Sequence, residues 1–292
     1  MDIGRFGIWT FQLDGLPSAE SQRVAREIED MGWGAIWLPE AVGREAFTNS
    51  SLILGGTKSI VIATGIATIW GRDAVTASAA QRTLTEAYPD RFLLGLGASH
   101  YHLVQHLRGH LYEKPYSAMV EYLEKMDAAP FMAAQPSVEP ARVLAALGPK
   151  MLKLAAEKTL GAHPYFVPVE HTTFARKTMG QGPLLAPEQA VVLETDPEKA
   201  RTLARGHMAV YLRAPNYTNN LKRMGFTDED LADGGSNRLV DAIVAWGDMD
   251  TVVARVKAHH EAGADHVCVQ VITEDPRTLA TPQWKALAKA LL

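Results

Sequence analysis

The stretch "RVLAALGPKMLKLAAE", Arg142 to Glu157, contains one complete unit of the fold. A short run rich in Val and Leu stops at Gly148-Pro149, and a helical pattern begins at once. Gly tolerates backbone angles closed to other residues, and Pro suits the first turn of a helix, where its missing N–H costs nothing. The unit reads strand, turn, helix. The amides from Lys150 onward then leave a helix N-terminus without acceptors, and such a terminus favours anions, phosphate above all. A plain strand-to-helix turn with no ligand is the other reading. The stretch alone leaves both open.

The same alternation recurs on either side. The apolar runs are "RFGIW", "GAIWLP", "SIVIATGIA", "RFLLGLG", "RVLAAL", "GAHPYFV", "EQAVVLE" and "DHVCVQVI". Helical patterns stand between them: "SAESQRVAREIEDMG" with Ser18 as its expected cap, "AVTASAAQRTLTEAYP", "YSAMVEYLEKMDAA", "VEHTTFARKTMG" and "PEKARTLARGHMAVYL", the last opened by Asp196-Pro197. "DPRTLATPQWKALAKALL" reads as a terminal helix. Eight strands alternating with helices predict a parallel sheet, and units of this size predict a (β/α)8 TIM barrel. A doubly wound open sheet is the rival, weakened because no G-x-G-x-x-G follows the first strand. The connection between strands 7 and 8 is too long for one helix. Residues 213–247 are therefore expected to be a helical insertion covering one end of the barrel. No linker, low-complexity run or repeat divides the chain, so residues 1–292 are read as one domain.

The bulk properties narrow the function. The chain has 292 residues, 47% hydrophobic and 21% charged, with a formal net charge of −4. That is ordinary composition for a globular protein. The mildly acidic balance without a basic block argues against nucleic-acid and anionic-membrane partners. The single cysteine, Cys268, lies in an apolar run and is expected to be a buried structural thiol. "MDIGRFGIW" lacks the apolar core of a signal peptide, and no run reaches the ~18 apolar residues of a membrane span. A cytoplasmic protein acting on a small-molecule substrate is expected, with a homodimer left open as its assembly.

Working residues of a barrel stand at the C-terminal ends of its strands. The candidates are Trp9 and Thr10; Glu40; Gly65, Ile66, Thr68 and Trp70; Gly97, Ala98, Ser99, His100 and His102; the Gly148 turn; and His163, Tyr165 and His171. None has a convincing metal spacing, and Ser99 beside His100 is no catalytic triad. In "RFLLGLGASH" two glycines one residue apart would let a flat ring system approach the backbone. His100 could reach the edge of that ring, and an imidazole near its ordinary pKa of ~6.5 can give or take a proton at neutrality. The alternative is a tight turn with His100 facing solvent. Trp9, Trp70, His163 and Tyr165 suggest an aromatic substrate pocket, although aromatics at strand ends are as often plain packing.

Taken in order, "GAIWLPEA", "IVIATGIA", "DRFLLGLGASH", "LAALGPKMLKLAAE" and "AGADHVCVQVI" span nearly the whole chain, and together they resemble the luciferase-like monooxygenase superfamily. More narrowly, they resemble the actinobacterial branch that uses the deazaflavin coenzyme F420. The resemblance implies a ring lying at the barrel mouth and a phosphate tail at Ala146, Leu147, Gly148, Pro149 and Lys150. It also implies a cis peptide at Gly65-Ile66, forming a bulge behind the ring, with Gly97 and Ala98 beside it. Related sugar-phosphate dehydrogenases carry an Asp-His pair after strand 2 and a Glu after strand 4. Here Pro39-Glu40 and His100 stand in those places. The expectation is a Glu40–His100 proton-relay pair, with His100 as donor and its pKa raised by the carboxylate.

The activity expected is hydride transfer between F420 and an unidentified small organic substrate. An FMN-dependent monooxygenase is the alternative cofactor reading. A non-redox barrel lyase or isomerase, or a non-catalytic cofactor-binding protein, are the readings of other classes. No strand-end lysine favours the lyase.

Overall fold

The computed structural model describes residues Met1–Leu292. Short, wholly buried runs such as "FGIW" and "AIWL" become strands because both faces are covered, as in parallel sheets wrapped by helices. In chain order the elements are β1 (Phe6–Trp9), α1 (Ser18–Asp30), β2 (Ala35–Leu38), α2 (Ala46–Gly56), β3 (Val61–Thr64), β4 (Ala67–Thr68), α3 (Ala74–Ala87) and β5 (Phe92–Gly97). Then come α4 (Pro115–Asp127), β6 (Ala141–Leu144), α5 (Pro149–Lys158), β7 (Gly161–Ala162), α6 (Val169–Met179), β8 (Leu184–Leu185) and β9 (Glu188–Val192). The remainder is α7 (Pro197–Met208), α8 (Pro215–Arg223), α9 (Asp228–Leu231), α10 (Asn237–Ile243), β10 (Val244–Trp246), α11 (Met249–Glu261), β11 (Val267–Val271) and α12 (Thr281–Leu291).

Every strand pairing is parallel, in the order β10-β9-β11-β1-β2-β3-β5-β6-β7-β8. The seventh stave of the barrel is one strand interrupted at Ala186-Pro187. On one side it bonds to β7 and the residues after it, through Leu184 N–H to Leu160 O, Ala186 N–H to Ala162 O and Glu188 N–H to Pro164 O. On the other side it bonds to β11, with Cys268 opposite Glu188 and Gln270 opposite Ala190. Those two ladders close the (β/α)8 barrel.

The insertion is helical between strands 7 and 8, with one departure. Val244–Trp246, read as part of the helical run, adds a short strand on β9 opposite Ala190, Val191 and Val192. It takes the side of the seventh stave that β7 has left by that height. A second correction concerns α1: Pro17 is its N-cap, and Ser18 lies inside the helix with its hydroxyl accepting from Arg44 Nη1 at 3.2 Å. The final helix starts only at Thr281. Asp196 caps α7 as expected, accepting from the amides of Glu198 and Lys199.

The apolar interior splits as a barrel requires. One large cluster lies between the strands and the surrounding helices. A smaller one fills the barrel, with Trp9, Trp37, Leu93, Val143, Ala186 and Cys268 among its members. A third joins the insertion to the upper end of the seventh stave through Phe166, Tyr217 and Leu221. No helix is long and apolar enough to cross a membrane.

Candidate active site

The floor of the site is a buried polar layer inside the barrel. Small residues make room for it: a Cβ on Gly7 would sit 2.7 Å from His266 Nε2. Trp37 Nε1 donates to His266 Nε2 at 3.0 Å, so that imidazole carries its proton on Nδ1 and donates it to Gly4 O at 2.8 Å. His163 stacks on Trp37 at 4.3 Å and donates from Nδ1 to Ala186 O at 2.7 Å. Burial holds both imidazoles neutral, with pKa values lowered to about 4. His163 was expected to face substrate. The structure instead buries it beneath Gly65, with Nε2 unpaired.

Glu188 belongs to the same layer. It is buried opposite Cys268, accepts from Phe166 N–H at 3.3 Å through Oε2, and has no partner for Oε1. Burial without a cation raises its pKa to about 8, so it is a neutral acid at pH 7. Burial likewise pushes the Cys268 thiol up, which fits the structural role expected of it.

Above this layer the strand ends converge. The Gly65-Ile66 peptide is cis. Gly65 O accepts from Trp9 Nε1 at 3.1 Å. The two glycines of "LLGLG" serve a different purpose from the one read in the sequence. A Cβ on Gly95 would collide with Thr64 O, and one on Gly97 would stand 2.5 Å from Ile66 Cδ1 and 3.3 Å from Ala145 Cβ. Thr64 Oγ1 also donates to Gly95 O and accepts its N–H, at 2.7 and 2.8 Å. Gly95 thus admits the backbone of β3, and the space over Gly97 is filled by the side chain of Ile66. Ala98 O accepts from Trp70 Nε1 at 2.8 Å.

The expected Glu40–His100 pair is not formed. Glu40 accepts from Thr68 N–H at 2.7 Å and Ala46 N–H at 3.2 Å, and its carboxylate is ion-paired with Arg72. Arg72 also reaches Glu45 at 2.8 Å and lies over Phe47. Glu40 therefore ties the loops after β2 and β4 together at the rim. His100 turns to the insertion: its Nδ1 lies 3.1 Å from Asn216 Oδ1 and its ring packs on Tyr217. Its pKa is lowered by burial, with the Asn216 bond pulling the other way. That is opposite to the predicted shift, because no carboxylate faces it. Donation from Nδ1 to the Asn216 oxygen leaves Nε2 as a proton acceptor.

Trp9, Trp70 and Tyr165 lie at the strand ends as expected, but their polar atoms are already engaged. Tyr165 packs on Trp9 at 5.0 Å, donates to Gln270 Oε1 at 2.8 Å and meets the Tyr211 hydroxyl at 2.7 Å. Tyr211, Tyr217, Gln270 and Asn216 were not read from the sequence. Gln270 and Glu188 carried one signal, a polar residue inside an apolar strand run; the insertion residues carried none.

One stave along from Gly97, after β6, Ala146 is buried and Leu147 O accepts from His171 Nε2 at 2.8 Å. α5 begins at Pro149, and the amides of Lys150 and Met151 make no hydrogen bond. Gly148 has φ −90° and ψ 159°, angles open to any residue, so backbone freedom is not why glycine stands there. A Cβ would also fit, since only Arg223 Nη2, at 3.8 Å, comes within 4 Å of its position; the turn leaves the α5 terminus open. Two unpaired amides, a helix N-terminus and that space fit a phosphate group.

Eight staves, with the ends of strands 4, 5 and 6 meeting a helical insertion through Asn216, Arg223 and Tyr217, make an enzyme-type barrel, whose sites lie at the C-terminal mouth. The chain belongs to the luciferase-like monooxygenase family, whose model matches residues 5–266. No curated protein sequence matches it. Among solved structures it is similar to an F420-dependent secondary alcohol dehydrogenase in complex with an F420-acetone adduct. That pair has 14% identity and TM-score 0.78, covering 99% of each chain. It is also similar to a coenzyme F420-dependent tetrahydromethanopterin reductase from Methanopyrus kandleri, at 17% identity and TM-score 0.76 over 98% of this chain and 97% of that one. The FMN complex of the oxygenating constituent of 3,6-diketocamphane monooxygenase from Pseudomonas putida aligns at 16% identity and TM-score 0.68, covering 97% and 95%. At these identities the likeness is one of fold.

Proposed function

We propose that the protein is an F420-dependent oxidoreductase acting on a small organic substrate. The observation that carries this reading is the pair of unpaired amides at Lys150 and Met151, opening on the barrel mouth beside Gly148. They would hold a cofactor phosphate, with Ala146 and Leu147 lining the approach. Bound there, a deazaflavin supplies two-electron hydride chemistry. The chain's own residues supply orientation and the proton. His100, neutral at pH 7 and with Nε2 open as an acceptor, takes the substrate's hydroxyl proton during oxidation and returns it during reduction. Asn216 fixes its tautomer and Tyr217 its ring plane. Trp9 and Tyr165 form an apolar wall that excludes water.

The second reading keeps the site and exchanges the cofactor for FMN, with oxygen as co-substrate. The family membership and the FMN-bound structural neighbour favour it. Mixing the pure protein with F420 and with FMN and following fluorescence quenching separates the two. Saturable quenching of F420 but not FMN is expected. The reverse result transfers the assignment to a monooxygenase, and binding of neither withdraws the redox reading.

A further inference from the structure

The insertion brings an uncommitted cation to the mouth. Arg223 ends α8, donates from Nη1 to Asn220 Oδ1 at 2.9 Å and forms no ion pair, whereas its neighbour Lys222 pairs with Asp228 at 2.5 Å. Arg223 is exposed, and its other terminal nitrogen, Nη2, is the one atom within 4 Å of where a Cβ on Gly148 would stand, at 3.8 Å. Asn220 is 1% exposed, and while its oxygen holds the guanidinium, its Nδ2 has no partner. A buried amide with an idle donor, fixed to an arginine with no carboxylate, is costly unless something accepts those protons. Across the gap, the α5 amides are donors without acceptors as well. His171, whose pKa burial lowers to about 4, is near enough to feel the Arg223 charge, which lowers it further. Every unsatisfied donor there seeks an anion.

We propose that Arg223 and the α5 amides of Lys150 and Met151 are the two faces of one phosphate site, so that a bound phosphoryl group bridges the insertion to the barrel. This rests on the reading of α5 as a phosphate-binding terminus and adds the insertion to it. A guanidinium fork suits phosphate oxygens better than a point charge does, and a helix N-terminus supplies the complementary donors. The ligand class is a phosphate mono- or diester. α8 also carries Asn216 and Tyr217, which hold His100. A phosphate that draws Arg223 down therefore fixes the proton-transferring imidazole, one stave away, through the helix they share.

The test is a titration of inorganic phosphate into the full-length protein, followed by amide and arginine side-chain NMR. The Lys150 and Met151 amides and Arg223 Nε–H should shift together with one Kd. Arg223→Gln should weaken that Kd about tenfold or more, the loss expected for a hydrogen bond to a charged group, and Arg223→Lys by less. Unchanged resonances in the barrel strands show that the variants fold. Equal phosphate affinity in wild type and Arg223→Gln overturns the proposal and leaves α5 as an anion site by itself. An absence of any α5 shift in wild type overturns the α5 reading as well. Competition identifies the source. Displacement of phosphate by F420 or FMN, but not by their dephosphorylated forms, assigns the site to a cofactor, and displacement by none assigns it to a phosphorylated substrate.

Discussion

Arg72 holds Glu40 at the rim of the barrel, both side chains almost completely buried, at 9% and 4% exposure. The ion pair commits Glu40 to structure, since the same carboxylate also accepts the amides of Thr68 and Ala46. Removing one member of a buried pair is strongly destabilising, and Arg72 would keep only the half-exposed Glu45 as a carboxylate partner. Glu40→Ala should therefore cost about 3 kcal/mol, read as a lower urea midpoint at unchanged m-value. The folded variant should keep the pH dependence of turnover. A shift in that dependence at unchanged stability would return Glu40 to the proton path.

His100 is expected to act as a base whose pKa lies below the ordinary histidine value, because burial disfavours its charged form. Turnover in the oxidative direction should rise with pH along a limb centred below pH 6.5. Asn216→Ala removes a bond that favours the imidazolium, so the limb should move further toward acid. His100→Ala should lower kcat by about 10²–10⁴ while cofactor affinity stays within severalfold. A limb above pH 7, or a loss confined to cofactor affinity, would contradict this role.

The buried titratable groups set opposing slopes on stability. His163, His171, His207 and His266 have pKa values lowered to about 4, and His259 to about 3, all by burial. Unfolded imidazoles bind protons near pH 6.5, so the unfolded state holds more protons below that value. Their contribution is fully present above pH 6.5 and is lost as pH falls toward 4. Glu188 has the opposite sign. Its folded pKa of about 8 lies above the unfolded 4.5, so its contribution is full below pH 4.5 and is lost as pH rises to 8. Stability should peak near pH 6–7, with steep acid unfolding between pH 6 and 4. Glu188→Gln should flatten the alkaline side and gain on the order of a few kcal/mol at pH 8, measured by urea unfolding across pH. An unchanged alkaline slope in Glu188→Gln would show that another group carries it.

The staves were legible because parallel strands buried on both faces leave unbroken apolar runs, and Gly148-Pro149 marked a helix start that side-chain chemistry alone decides. α2 left no such mark. "AFTNSSLILGG" buries Asn49 and Ser50 beside Ile53 and Leu54, so it has no amphipathic stripe to read. The seventh stave begins at Leu184, ahead of Pro187, and its first half was missed because that proline breaks the run while hydrogen bonds on both sides carry the strand through. The site was harder. Glu40 finds Arg72 thirty-two positions away and His100 finds Asn216 at a separation of 116, pairings that only the closed barrel and its insertion create. The reason for the glycine pair in "LLGLG" was likewise set by a neighbouring strand.

That neighbour gives the last prediction, a contrast between two glycines two residues apart. A methyl on Gly95 would strike the carbonyl oxygen of Thr64, which cannot move without breaking the β3–β5 contact and the Thr64 hydroxyl bonds to Gly95. A methyl on Gly97 would strike the far end of the Ile66 side chain, which can change rotamer or be shortened. Overpacking a core costs about 1–3 kcal/mol when side chains can yield, and more when backbone must shift. Gly97→Ala should therefore remain folded with a modest loss of stability, and Gly97→Ala with Ile66→Ala should recover part of it, giving a favourable coupling in a double-mutant cycle. Gly95→Ala should lose more than Gly97→Ala, with no rescue from Ile66→Ala. Equal losses at the two positions, or rescue of Gly95→Ala by the Ile66 change, would mean that the bulge after β3 does not rest on β5 as the structure has it.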